Sequence, residues 1–212
     1  MRGHGERSTR RRVAALLAAV PLAAAGCSRG EVELIGTKLP ADAAPDFELT
    51  DHRGDIVTLS GLKGAAVALT FISTHCPDVC PLTALNMRAT YDELSEQERE
   101  EVAWLAFTVD PERDSAERVS EFSERFGLAR VPQWHAFPGT REQLEPIWVA
   151  YGIDPGGVAE EIEAHLSGGR CPYDLSHTDA VDVIDGEGRK RVLMRSEFAP
   201  EDLSRNLTVL SG

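Results

Sequence analysis

Residues 65–81 read Ala-Ala-Val-Ala-Leu-Thr-Phe-Ile-Ser-Thr-His-Cys-Pro-Asp-Val-Cys-Pro. The first eight form a short continuous apolar run, the pattern of a strand buried on both faces. The run leads into two cysteines four residues apart, after which Leu82, Leu85, Ala89 and Leu94 recur at helical spacing. Val102 to Val109 has the same buried-strand character. Strand, helix, strand predicts a parallel pair.

Upstream, Phe47, Leu49 and then Ile56, Val57, Leu59 flank Asp51-His52-Arg53-Gly54-Asp55, which predicts a hairpin with His52 as a turn residue. Downstream, Asp110 to Ser115 reads as a loop and helix cap. Val119, Phe122 and Phe126 follow on one face, and Gly127 is a stop signal. A strand-like Trp134-His135-Ala136-Phe137 precedes a helix predicted over 141–151, with Leu144, Ile147, Trp148 and Tyr151 turned to the core. From Asp154 to Ser176 two glycine pairs and no persistent period predict an inserted loop. Ala180 to Ile184 and Lys190 to Met194 bracket Asp185-Gly186-Glu187-Gly188 as an antiparallel hairpin, and Pro200 to Leu210 closes the chain as an amphipathic helix. The fold class is therefore α/β. The order matches the thioredoxin-like plan: a central mixed sheet flanked by helices, an N-terminal hairpin, and an inserted loop before the last hairpin. Other α/β folds share similar orders, and fold alone does not give function.

The ends and the charge set the context. The chain has 212 residues, 42% hydrophobic and 27% charged, the size and composition of one globular domain with accessory segments. Arg2, Arg7, Arg10, Arg11 and Arg12 precede an uncharged run from Val13 to Ala25, the layout of a secretion signal and too short for an ordinary membrane span. Ala24-Ala25-Gly26-Cys27 resembles a bacterial lipoprotein signal, which implies acylation of Cys27. The expected division is a signal over 1–26, a flexible tether over 27–44 and a folded domain over 45–212. Its expected location is the extracytoplasmic face of the cell membrane, held by a lipid anchor. The formal net charge is −13; removing five arginines and one glutamate with residues 1–26 takes it to −17. Such a surface excludes nucleic acid as a partner.

The chemistry lies in Cys76 and Cys80. At i and i+4 of a helix both sulfurs share a face, and a helix N-terminus favours thiolate, the form that attacks disulfides and binds soft metals. The chain has only four cysteines, so an exported pair at this spacing points to metal binding or redox exchange. Two thiolates suit Cu(I), and an added imidazole extends the site to Cu(II). Structural zinc normally takes four protein ligands, and no fourth is evident.

Phe71-Ile72-Ser73-Thr74-His75-Cys76-Pro77-Asp78-Val79-Cys80-Pro81 resembles the copper-site signature of the Sco/SenC family. Val109-Asp110-Pro111-Glu112-Arg113-Asp114 matches that family's acidic loop, and Ser176-His177-Thr178 matches the place of its histidine ligand. The resemblance runs from about Pro45 to the C-terminus. It implies a thioredoxin-like protein that binds one copper through Cys76, Cys80 and His177. It also implies delivery of that copper to the dicopper centre of a cytochrome c oxidase subunit. A thiol-disulfide oxidoreductase acting on cysteines of the oxidase, or of a related copper protein, is the alternative. A thiol peroxidase is disfavoured, because Thr74 stands two residues before Cys76 where three are expected.

Among the remaining residues, His75 is the rival to His177, its side chain expected to point away from the cysteines. His135 is expected in a core-edge strand and His165 in a solvent loop. Asp110 and Asp114 are candidates to tune the metal through hydrogen bonds, or else loop and cap residues. Cys171, six residues before His177, departs from the family pattern as a third sulfur ligand, a resolving thiol or, with no partner left to it, an unpaired thiol.

Overall fold

The structure is a computed structural model that describes residues 1, 33–154, 180–195 and 197–211. The chain divides into two units, Met1–Glu31 and Val32–Gly212, and every described residue except Met1 belongs to the second. Cys27, His165, Cys171 and His177 lie outside the described residues, as do the signal and most of the insertion.

Six strands form one mixed sheet. In spatial order they are β1 (Thr37–Lys38), β8 (Lys190–Arg195), β7 (Ala180–Ile184), β4 (Ala66–Ile72), β5 (Val102–Thr108) and β6 (Trp134–Phe137). The strands β4, β5 and β6 run parallel, whereas β7 is antiparallel to β4 and β8 to β7. A separate hairpin pairs β2 (Glu48–Thr50) with β3 (Ile56–Thr58), and His52 sits in its turn as the sequence predicts.

The continuous apolar runs follow from burial on both faces. Along β4, Ala66, Ala68 and Ile72 join the core packed on α1 (Val79–Glu93), α3 (Ala116–Arg125) and α5 (Pro200–Leu210). Val67, Leu69 and Phe71 alternate into a second core with the hairpin and α4 (Arg141–Tyr151). Every residue of β4 and β5 is buried. Each large apolar side chain removed from water contributes on the order of 1.5–3 kcal/mol. Helices on one face, with a helix and hairpin on the other, make the thioredoxin-like architecture. No helix of the described residues is long and apolar enough to cross a membrane.

Two expectations are corrected. Within α1 the buried residues are Cys80, Thr83, Ala84, Met87 and Thr90, while Leu82 and Leu85 are exposed. The helical spacing of Leu82, Leu85 and Ala89 therefore does not mark the face that packs on the sheet. Thr83 and Thr90 can be buried because their hydroxyls donate to the carbonyls of Val79 and Asn86, at 3.0 and 2.8 Å. Second, the tether expected over 27–44 is folded in part. Leu34 packs on the core, Ile35 exchanges two backbone hydrogen bonds with the Asn206 amide, and Thr37–Lys38 pairs with β8. A short helix α2 (Glu96–Glu100), on which the sequence reading was silent, precedes β5 and is started by a capping box between Ser95 and Glu98.

Candidate metal centre

The cysteines sit where β4 turns into α1. Pro77 disfavours helical backbone at Cys76, so the helix starts only at Val79, with Asp78 as its N-cap. Cys76 therefore lies in the turn and Cys80 in the first helical turn, which corrects the expectation of one shared helix face. Pro81 is tolerated because the N–H it lacks belongs to the unpaired donors of that turn.

Local hydrogen bonds close the turn around the sulfurs. The Cys80 N–H donates to Cys76 Sγ and the Ser73 N–H to Cys80 Sγ, each at 3.4 Å. The Cys76 N–H donates to the Ser73 carbonyl at 3.1 Å, and Ser73 Oγ accepts from the His75 N–H at 3.2 Å. Both thiols are free, Cys76 half-buried and Cys80 buried.

The two thiols are unequal. The Cys80 thiol donates to Cys76 Sγ and outweighs the effect of burial, bringing Cys76 down to about 6 from the ordinary 9.0, with help from backbone N–H groups. Cys80 is pushed up, first by that same hydrogen bond and then by its own burial. Cys76 is thus a thiolate at neutral pH, with Cys80 holding the pair's proton. Alkylation of reduced protein by iodoacetamide is expected to rise with pH, reach half its plateau near pH 6 and level off by pH 7.5. A half-point above pH 8 would refute the assignment. Mass spectrometry should find Cys76 modified before Cys80.

Asp114 ties this turn to the neighbouring strand. The carboxylate is buried, accepts from the Thr74 N–H at 3.1 Å and from the Thr74 hydroxyl, and accepts on its other oxygen from the Thr108 hydroxyl at the end of β5. The cap of α3 is Ser115, whose side chain accepts from the Arg118 N–H, so Asp114 is free to turn inward. Asp110 is also buried and is paired with Arg113; burial pushes its carboxyl up against the pull of that guanidinium. Sequence reading missed Thr74 and Thr108 as partners of Asp114. Their signal was a hydroxyl at the end of β5 and another two residues past the end of β4.

His75 faces this acidic loop. Its Nδ1 lies 3.3 Å from Thr74 Oγ1 and 3.5 Å from Asp114 Oδ1. Among the described residues, His75, Asp110 and Asp114 are the cluster whose ligand atoms lie close enough to hold an ion, but all three are already engaged with one another, with Arg113 or with threonines. His135 lies in β6 at the sheet edge and pairs with Asp51 of the hairpin at 2.9 Å, and His52 accepts from the Ala136 N–H at 3.3 Å.

The donor set fits a soft metal. Two sulfurs brought together on one turn, one already ionised, suit Cu(I) or Cu(II) with few protons to displace. The same pair suits disulfide exchange, with Cys76 as attacking thiolate and Cys80 as resolving thiol.

Known proteins are similar to this chain in sequence and in fold. The SCO1/SenC family profile matches residues 36–211. An SCO2-like protein of Rickettsia felis is 30% identical over 160 residues, covering 74% of this chain and 72% of its own. The structure of Bradyrhizobium japonicum ScoI with copper bound matches with a TM-score of 0.56 at 22% identity, over 80% of this chain and 99% of that one. BsSco, described as having a disulfide switch and as a member of the Sco family of cytochrome c oxidase assembly proteins, matches with a TM-score of 0.55 at 20% identity. That match covers 84% of this chain and 97% of BsSco. At these identities the two structures confirm the thioredoxin-like fold. The profile covers the cysteine turn, the Asp110–Asp114 loop and all six strands of the sheet, and by that measure the chain belongs to the SCO1/SenC family.

Proposed function

We propose that the chain binds one copper ion through Cys76, Cys80 and His177 and passes it to the dicopper site of a cytochrome c oxidase subunit. The observation that carries this reading is the thiol pair itself: two free sulfurs on a hydrogen-bonded turn, one of them ionised near pH 6. Copper-bound relatives and the family's link to oxidase assembly support it. His177 stands three residues before Ala180, which enters β7 beside the end of β4 that leads into the cysteines. Three ligands leave copper open to an incoming sulfur or imidazole, so transfer proceeds by ligand exchange rather than release. The test is copper stoichiometry and absorption of reduced protein for wild type, Cys76→Ser, Cys80→Ser and His177→Ala. Each variant is expected to retain less copper than wild type, the two serine variants least. Unchanged retention in all three sinks the proposal.

Thiol-disulfide exchange on the same partner is the second reading, favoured by the unequal thiols. His177→Ala separates the two, since it removes a copper ligand and leaves thiol exchange intact. The proposed setting is the extracytoplasmic membrane face, with residues 1–26 as signal and Cys27 lipidated. A Cys27→Ser chain should then move from the membrane to the soluble fraction.

A further inference from the structure

Between α3 and the loop that leads into the cysteines, a groove of about 170 Å³ is lined by Thr74, Arg118, Glu121, Phe122 and Arg125. That is the room of roughly five waters or a single side chain. Thr74 stands two residues before Cys76, so chain geometry holds their Cα atoms within about 7 Å. The groove therefore opens at the edge of the thiol centre.

Its charge runs against that of the molecule. The chain has a formal net charge of −13, and Arg53, Arg88, Arg113, Arg141, Arg189 and Arg191 each engage a carboxylate. Arg118 and Arg125 have no ion pair among the described residues, although Glu121 lies between them in the same groove. Seven residues apart, they share one helix face about 10.5 Å apart along the axis. Arg125 also rests over the Phe126 ring at 5.4 Å, which limits its freedom. Two arginines line this side-chain-sized groove, and either planar guanidinium can donate two parallel hydrogen bonds to a carboxylate that enters it.

We infer that this groove receives an acidic side chain of the protein that docks on Cys76 and Cys80. The contact selects partners by charge and sets the register of their reactive group on the cysteine turn. The inference rests on the thiol pair being the docking centre, but its test uses thiol chemistry alone, so a failure of copper binding would leave it readable.

The probes are two nine-residue peptides, each with one cysteine held as its 2-thiopyridyl disulfide and either Glu or Lys three residues away. The Cys76 thiolate attacks the peptide sulfur, forming a mixed disulfide and releasing 2-thiopyridone, whose absorbance gives the rate. Cys80 then displaces the peptide thiol and closes the Cys76–Cys80 disulfide, so the dithiol is oxidised and the peptide disulfide reduced. Cys27→Ser and Cys171→Ser in all proteins leave these two thiols alone. The Glu-to-Lys rate ratio is expected to fall at least threefold in Arg118→Ala/Arg125→Ala at low salt. It should hold in Arg130→Ala/Arg205→Ala, which makes the same charge change outside the groove. Alanine preserves the helix, and circular dichroism checks that it does. A smaller fall, or an equal fall in the control pair, overturns the inference.

Discussion

Asp114→Ala is expected to lower the stability of the chain by about 4 kcal/mol, read from urea unfolding of reduced protein. The carboxylate is buried and receives the Thr74 N–H, the Thr74 hydroxyl and the Thr108 hydroxyl. Removing it strands those donors in a water-poor site, each costing on the order of 1–3 kcal/mol. Some of that cost is recovered because hydroxyls can rotate to other acceptors and water can enter the space left behind. The Thr74 N–H cannot turn, so the damage concentrates on the segment that carries Cys76. Asp114→Asn should cost less, about 1–2 kcal/mol, since one oxygen still accepts. A loss below 1 kcal/mol for alanine would show that the threonines hold the turn without Asp114.

Asp182→Asn is expected to act in the opposite direction, raising stability at pH 8 by about 2 kcal/mol. Asp182 is buried in β7 within the sheet, and burial lifts its carboxyl to about 6 from the ordinary 3.8, with Lys190 pulling the other way. The folded chain therefore holds this proton more tightly than the unfolded one. The associated stability is fully present below pH 3.8, falls as the pH rises through 6, and is lost above it. A shift of that size corresponds to about 3 kcal/mol, lessened by whatever the amide itself fails to bond. Tyr151 shares the site: its hydroxyl is buried without a hydrogen-bond partner among the described residues, and burial followed by the Asp182 charge pushes the phenol up. Urea midpoints measured between pH 4 and 8 should converge at the acid end and separate at the alkaline end. Parallel profiles for the two chains would dismiss the idea.

The readable parts of the sequence were those where one physical constraint acts alone. Ala65 to Ile72 and Val102 to Val109 are apolar except for Thr70 and Thr108 because both faces of β4 and β5 are covered, and the structure places strands there. The helix over 141–151 was legible to the residue, with Thr140 and Gln143 forming its capping box and Gly152 its left-handed end. Both cysteines were legible from spacing, although their placement across a turn and a helix start was not, because Pro77 decides it. The packed face of α1 was misread because Thr83 and Thr90 are polar by composition yet buried through bonds to their own helix. The strand β1 was missed because an edge strand can pair through its backbone alone, and Thr37–Lys38 has exposed side chains. Asp114 could not be told from a helix cap, since turning inward depends on Thr74, 40 residues away.

The mixed strand order also sets a sequence of events in folding. Pairing β4 with β5 joins Ala66 to Val102 across 36 positions, whereas pairing β4 with β7 joins Val67 to Ile184 across 117. Loop-closure scaling makes the second encounter about 1 kcal/mol harder before any contact repays it. The half bearing both cysteines should collapse first, and the half entering at Ala180 should dock later. A chain caught between these steps displays its thiols on a formed turn while one side of β4 is still open, and in an oxidising compartment that interval is when a wrong disulfide would form.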